Sequence, residues 1–390
     1  MKSLRALHIA SFNGNIGDNA NHNGFRSKLE CSLGSPIQYK ELEIREFYQS
    51  WNIRDFNSRD FVSLCNNFDF VVIGGGNFFE LKWDYSCTGT TINISTDTLN
   101  QIKVPIFFNA LGCDVAKGAS QSAISKFESF LDVITSSDKY MVSIRNDGSY
   151  KTLNDLYGNK YNESIYRVPD GGFFFKTKPF YYPELNPKYK SLGINIVSDM
   201  KKVRFSKQQI EGIEYEEFIE SFARVINNFF YAYEGYQIIL FPHIYSDLEA
   251  IYKLLERIDD RFRRKRVVVA PYLTGEGADE YIFGLYKQCE VILGMRFHSN
   301  VCSIAQQIPT IALSSYKKIV DLYDELQLSD RVVEVNKRGF DNKLQNQIEF
   351  TLKNIEDVKK RYGIVNANLL IKGKAFYDEV KKWCMKNDII

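Results

Sequence analysis

Between Cys289 and Asp321 the chain reads CEVILGMRFHSNVCSIAQQIPTIALSSYKKIVD. Arg296 and His298 follow the apolar run Glu290–Leu293 and Gly294, and in extended geometry residues two apart point to the same side. A helix is expected from Ser299, and the free amides at a helix start favour an anion. After a further strand, Lys318 stands at the start of the next helix. Arg296, His298 and Lys318 therefore suit one negatively charged ligand at the carboxyl end of a parallel strand, where open α/β sheets bind theirs. The same spacing suits a structural set in which Arg296 and Lys318 make ion pairs and His298 caps a helix.

Weaker candidates lie elsewhere. Asn15 and Asp18, after the first strand, suit sugar hydroxyls or the stabilisation of a turn. Asn77 follows Gly74-Gly75-Gly76, where missing side chains permit a sharp turn or a close approach to a ligand. His243 and Asp247 follow the strand Gln237–Phe241, although Asp247 also suits a helix cap. The run Arg261, Arg263, Arg264, Lys265, Arg266 reads as a solvated face, with attraction to anionic lipid as the alternative. There is no Walker-type phosphate loop, no GxGxxG, no GxSxG elbow and no HExxH. No two aspartates flank a single residue, and His8, His22, His243 and His298 have no ligand spacing, so no metal site is expected.

The elements that must position these residues alternate. Strands are expected at Leu4–Phe12, Ile37–Ile44, Asp69–Ile73, Pro105–Leu111, Tyr140–Arg145 and Ser164–Val168. Helices are expected near Ala20–Cys31, Ser58–Asn67, Gln121–Thr135 and Asp147–Leu156, with Asn13–Asn19 as a loop. Lys176–Tyr189 holds three of the nine prolines and reads as a linker. Strands then recur at Ser191–Val197, Gln237–Phe241, Arg266–Ala270, Glu290–Leu293, Thr310–Ser314 and Arg331–Val335. Between them the pattern predicts helices at Ser206–Tyr231, Ser246–Ile258, Glu276–Lys287, Ser299–Gln307, Lys317–Leu326 and Asn342–Arg361, with a last one about Asn366–Met385. Continuous apolar strands separated by helices indicate parallel sheets covered on both faces. The expected organisation is two doubly wound Rossmann-like domains, 1–180 and 190–365, and a C-terminal helix in 366–390.

Composition agrees. The 390 residues are 44% hydrophobic and 25% charged, which is globular, and a net charge of +2 argues against a nucleic-acid partner. No apolar run reaches the roughly 18 residues of a membrane span. Seven scattered cysteines without a CxxC read as buried thiols of a reducing compartment. A cytoplasmic protein is expected, at most peripherally associated with the inner face of the membrane.

The stretch GMRFHSNVCSIAQQIPTIALSSYKKIVDL closely resembles the C-terminal signature of the polysaccharide pyruvyl transferase family. The resemblance continues, in order, through Asn13–Asn19 (NGNIGDN), Val71–Phe79 (VVIGGGNFF), Ser143–Ser149 (SIRNDGS) and Val168–Gly172 (VPDGG). Phe297 stands where leucine is commoner, and Glu80–Ile94 has no counterpart. The resemblance implies a GT-B-like fold, metal-independent, with the active site in an interdomain cleft. It implies transfer of a pyruvyl group from phosphoenolpyruvate to a sugar of a glycan, lipid-linked or free, in cell-surface polysaccharide biosynthesis. The product is a cyclic ketal, phosphate is released, and there is no cofactor beyond this co-substrate. It also implies that Arg145, Arg296 and Lys318 bind the donor and that His298 moves protons. Two other classes fit the residues: a GT-B glycosyltransferase using a nucleotide sugar, and an inactive glycan-binding protein. Retention of all four charged positions speaks against the second.

Overall fold

Phe70–Gly74 and Ile106–Leu111 are buried at every position, and Leu4–Ala10 at every position but Arg5. Such strands need cover on both faces. The computed structural model describes residues 3–390 and divides them into two units. Unit 1 takes the chain up to Asn13, Asn21–Phe174 and Leu369–Ile390; unit 2 takes Gly14–Ala20 and Phe175–Asn368.

In unit 1 the strands are β1 (Leu4–Ala10), β2 (Ile37–Glu43), β3 (Phe70–Gly74), β4 (Phe79–Glu80), β5 (Ile106–Leu111), β6 (Cys113–Asp114), β7 (Tyr140–Arg145) and β8 (Tyr166–Val168). Six form a parallel sheet ordered β2-β1-β3-β5-β7-β8, and β4 pairs with β6 in a short parallel ladder. Alternation divides the core. Leu7, Ile9, Val71, Ile73 and Phe108 pack with Phe127 and Phe130 of helix Gln121–Thr135. Ala6, Phe70, Val72 and Phe107 face the other way, onto Phe25 and Leu29 and onto Phe376, Val380 and Trp383 near the C-terminus.

Unit 2 holds β9 (Lys190–Asn195), β10 (Tyr236–Leu240), β11 (Val267–Val269), β12 (Val291–Gly294), β13 (Thr310–Ser314) and β14 (Val332–Glu334), all parallel and ordered β11-β10-β9-β12-β13-β14. The order reverses between β9 and β12, the switch point at which doubly wound sheets place ligands. Leu192, Ile194, Leu240 and Leu293 meet Phe218, Phe222, Ile226 and Phe229 of helix Tyr215–Ala232. Ile239 and Ile292 face Ile282, Phe283 and Tyr286, and this cluster also takes Ile16 and Ala20 from the start of helix Ile16–Leu33.

Several elements differ from expectation. The helix after β1 begins at Ile16, so the expected loop is half helical. Ser206–Tyr231 is not one helix. Lys201–Arg204 is helical, then the chain leaves to bridge Gly212 with Lys337, and a capping box of Glu214 and Glu217 starts Tyr215–Ala232. The basic run forms helix Asp260–Arg266, and Arg266 is buried, its Nη2 donating to the carbonyl of Phe230 at 2.8 Å. It is therefore not a wholly solvated face. The last helices are Phe340–Lys353 and Ile355–Lys386. Cys31 and Cys87 are exposed rather than buried. Among the described residues no helix is long and apolar enough to cross a membrane.

Candidate active site

The carboxyl ends of β9, β10 and β12 are tied by one buried side chain. Asn195 Oδ1 accepts from the Arg296 amide at 2.9 Å, and its Nδ2 donates to the Phe241 carbonyl at 2.9 Å. Gly294 ends β12 where a Cβ would lie 2.8 Å from Ser299 Oγ. Asn300 Nδ2 donates to the carbonyls of Gly294 (3.0 Å) and Arg296 (2.8 Å), and Tyr323 donates to Asn300 Oδ1 at 2.8 Å. The turn carrying Arg296 is thus fixed by side chains from several elements.

Arg296 is extended and caps helix Phe297–Ala305, while His298 lies in that helix's first turn. The two are therefore not co-facing residues of one strand, because the helix begins two residues earlier than expected. The Arg296 side chain is held by two carboxylates. Nε donates to Asp247 Oδ2 at 2.7 Å, and Nη2 reaches Asp247 Oδ1 and Asp199 Oδ1, the latter at 3.0 Å. Burial opposes the charge of Arg296, but Asp247 and Asp199 outweigh it and raise its pKa above the ordinary arginine value. Nη1 has no hydrogen-bond partner among the described residues. Asp199 also meets Arg204, at 3.4 Å, and Arg204 Nη1 donates to Ser315 Oγ at 3.3 Å. Burial pushes the Arg204 pKa down, and Asp199 offsets this only in part while Arg296 adds to it.

His298 is buried against the start of helix Ile16–Leu33. A Cβ on Gly17 would lie 2.6 Å from its Cβ and Nδ1, and Asp18 Oδ1 is 3.8 Å from its Nδ1. Asn15 Oδ1 accepts from the Gly17 amide at 3.0 Å, a helix-capping bond. This bond stabilises the turn. Lys318, half-buried in helix Lys317–Glu325, places Nζ 5.0 Å from the centre of the Phe297 ring. His243 is fully buried, its Nε2 2.8 Å from Tyr286 Oη, which is 3.2 Å from Ser299 Oγ. Burial first, then Arg296 and His298, push the His243 pKa well below the usual histidine value. The ring is enclosed within unit 2 and has no exposed surface. Asp247 caps nothing in its own helix. Its Oδ2 instead accepts the amides of His243 and Ile244.

Unit 1 has its own cluster at the strand ends. Arg145 Nε donates to Asp147 Oδ2 at 2.8 Å and Nη1 to Asp170 Oδ2 at 2.9 Å, all three buried. Burial opposes that charge, and Asp147 and Asp170 outweigh it, so the arginine pKa is raised. Asn77 Nδ2 lies 3.5 Å from Asp114 Oδ2, and a Cβ on Gly112 would meet Asn77 Oδ1 at 2.5 Å and Arg145 Nη2 at 3.2 Å.

The sequence profile described as polysaccharide pyruvyl transferase matches residues 14–316, most of the chain and every element of the unit 2 site up to Tyr316. The chain belongs to the polysaccharide pyruvyl transferase family. A search of the curated proteins finds no match. Among solved structures, one described as a UDP-N-acetylglucosamine 2-epimerase of Listeria monocytogenes is similar at 9% identity, with 95% of each chain covered and a TM-score of 0.57. A glycosyltransferase of Rickettsia africae is similar at 10% identity, covering 100% of this chain and 99% of that one, with a TM-score of 0.53. At such identity the likeness shows the fold alone, a GT-B-like α/β fold of two Rossmann-like domains.

Within this family member, unit 2 brings together Arg296, His298 and Asp18, with Lys318 on the neighbouring Phe297, while Arg145 and Asn77 belong to unit 1. Asp199, Arg204, Asn195 and Gly17 were not singled out from the sequence. Gly17 and Asp18 share the NxGD loop, so the resemblance carried a signal for Gly17. Asp199 has none, since its partner Arg296 lies 97 residues away.

Proposed function

We propose that this family member transfers a pyruvyl group from phosphoenolpyruvate to two hydroxyls of a glycan sugar. The donor carries a carboxylate and a phosphate, and fixed cations suit both. Arg296 Nη1 and Lys318 are the groups we assign to these anions, each charge-assisted hydrogen bond contributing about 1.5–3 kcal/mol. His298 carries protons. One sugar hydroxyl adds to C2 of the enol while C3 gains a proton. The C2–O bond to phosphate then breaks, and the second hydroxyl closes the ketal at C2. The two hydroxyl protons end on C3 and on the departing phosphate. The acceptor is a sugar of a polysaccharide precursor, with no cofactor required.

The observation that carries this reading is the family match over residues 14–316, which includes Arg296 and His298. The test is incubation with phosphoenolpyruvate and a panel of lipid- and aryl-linked sugars, reading phosphate release and product mass together. Ketal formation adds a pyruvyl group for each phosphate released and proceeds in EDTA. Calorimetry is expected to show phosphoenolpyruvate binding that Arg296→Ala weakens by one to two decades, since about 1.5–3 kcal/mol is at stake. His298→Gln should leave that binding within a few-fold and lower kcat by about 10²–10⁴. Thermal stabilisation by nucleotide sugars alone would overturn the donor assignment.

A further inference from the structure

Asp18 is a half-buried carboxylate in the first turn of helix Ile16–Leu33, a place where the helix dipole favours negative charge. Among the described residues its one ion-pair contact is His298, Nδ1 to Oδ1 at 3.8 Å. The approach is built in. Gly17 has no side chain where one would strike the imidazole, the Asn15 cap fixes the turn, and Ile16 and Ala20 anchor it in the unit 2 core. Arg296, His243 and Lys318 have contacts of their own. Arg296 is held by Asp247 and Asp199, His243 is buried against Tyr286, and Lys318 sits over Phe297.

We infer that Asp18 orients His298, keeping the ring proton on Nδ1 and leaving Nε2 to exchange protons with the reactants. Asp18 is then a positioning residue and not a ligand for sugar hydroxyls. The inference rests on His298 as the proton carrier proposed above. A distance of 3.8 Å is ion-pair reach, and hydrogen bonds of catalytic groups commonly tighten only once substrate is bound. Which ring nitrogen keeps its proton is set by the partners of the two nitrogens, and a carboxylate at Nδ1 favours the Nδ1–H tautomer.

The test is nitrogen NMR of the full, ligand-free chain labelled with 15N-histidine, at about pH 8.5, where an ordinary imidazole is neutral. The His298 signals are those lost in His298→Gln. Wild type is expected to show the Nδ1–H tautomer, Asp18→Asn a mixture or the Nε2–H form, and Asp18→Glu a return towards wild type. Asp18→Ala serves if the asparagine variant melts early. In turnover, Asp18→Asn should lower kcat by up to the ~10²–10⁴-fold that general acid–base catalysis supplies, with KM within a few-fold. An unchanged tautomer in Asp18→Asn overturns the inference, as does a raised acceptor KM with kcat intact. A tautomer that responds in a protein that does not consume phosphoenolpyruvate upholds the orientation and removes the proposed reaction instead.

Discussion

Asp247 holds the guanidinium of Arg296 with both carboxylate oxygens, Oδ2 accepting from Nε at 2.7 Å and Oδ1 from Nη2. Asp247 is fully buried, and its Oδ2 also accepts the His243 amide at 2.9 Å. Removing one partner of such a pair leaves a charge without compensation, at a cost of about 3–5 kcal/mol. Asp247→Asn keeps the shape and leaves Arg296 with Asp199 as its carboxylate, so it should lower the unfolding free energy by at most that order, with Arg296→Ala costing less in this background than alone. Urea unfolding of wild type, both single variants and the double variant measures this coupling. Additive losses would show that the two residues stabilise the chain independently.

His243 gives a pH signature. Its folded pKa lies well below its unfolded value, with burial the main cause, so the unfolded chain binds the proton more readily. Stability is then fully present above the unfolded pKa of about 6.5 and declines as pH falls below it, until the folded pKa is passed. The slope from this one residue is about 1.4 kcal/mol per pH unit. His8, buried in unit 1, is shifted the same way by burial and then Arg26, so it should add a second such slope. Urea unfolding between pH 7 and 5 should be shallower in pH for His243→Gln than for wild type. Equal slopes would mean that His243 is protonated in the folded protein.

The strands of both main sheets were legible because parallel strands buried on both faces are continuous apolar runs, such as Phe70–Ile73 and Val291–Leu293. β4 and β6, two residues each, are too short to show any period. The start of helix Ile16–Leu33 was missed because Asn, Gly and Asp read as a loop, whereas here Asn15 is the cap and Gly17 is set by contact with His298. The site was legible in its types and not in its pairings. Nothing local announces that Arg296 meets Asp199, or that Arg266 turns inward from a basic run to the Phe230 carbonyl.

Arg145 tests how much of the unit 1 cluster is structural. Its two partners, Asp147 and Asp170, are buried, and Asn21 Nδ2 also donates to Asp170 at 3.0 Å. Arg145→Ala leaves both carboxylates without their cation, so a loss of about 3–5 kcal/mol is expected. Arg145→Lys keeps the charge but not the fork and should recover part of it. Thermal melts read this, paired with calorimetry on phosphoenolpyruvate. A variant of wild-type stability that no longer binds phosphoenolpyruvate would assign Arg145 to the ligand instead of to unit 1.

Gly17 sets two opposed effects against each other. Glycine inside a helix costs about 0.8–1 kcal/mol relative to alanine, so propensity alone predicts that Gly17→Ala stabilises. At Gly17, however, the new Cβ would lie 2.6 Å from His298 Cβ and Nδ1, and overpacking of this kind costs about 1–3 kcal/mol. The neighbour is the root of a buried ring, so the first turn of the helix must move, against the Asn15 cap and the packing of Ile16 and Ala20. Gly363, inside helix Ile355–Lys386, is the control, since Gln307 Oε1 would be 3.6 Å from an added Cβ, an ordinary van der Waals contact. Gly363→Ala should therefore gain about 0.8–1 kcal/mol. Gly17→Ala should gain nothing or lose up to about 2 kcal/mol, the difference of the two effects, and should lower kcat by displacing His298. Urea unfolding of the two variants side by side reads the balance. An equal gain in both would mean that the helix start yields to the histidine at no cost, and the close fit of Gly17 on His298 would then have no part in holding the ring.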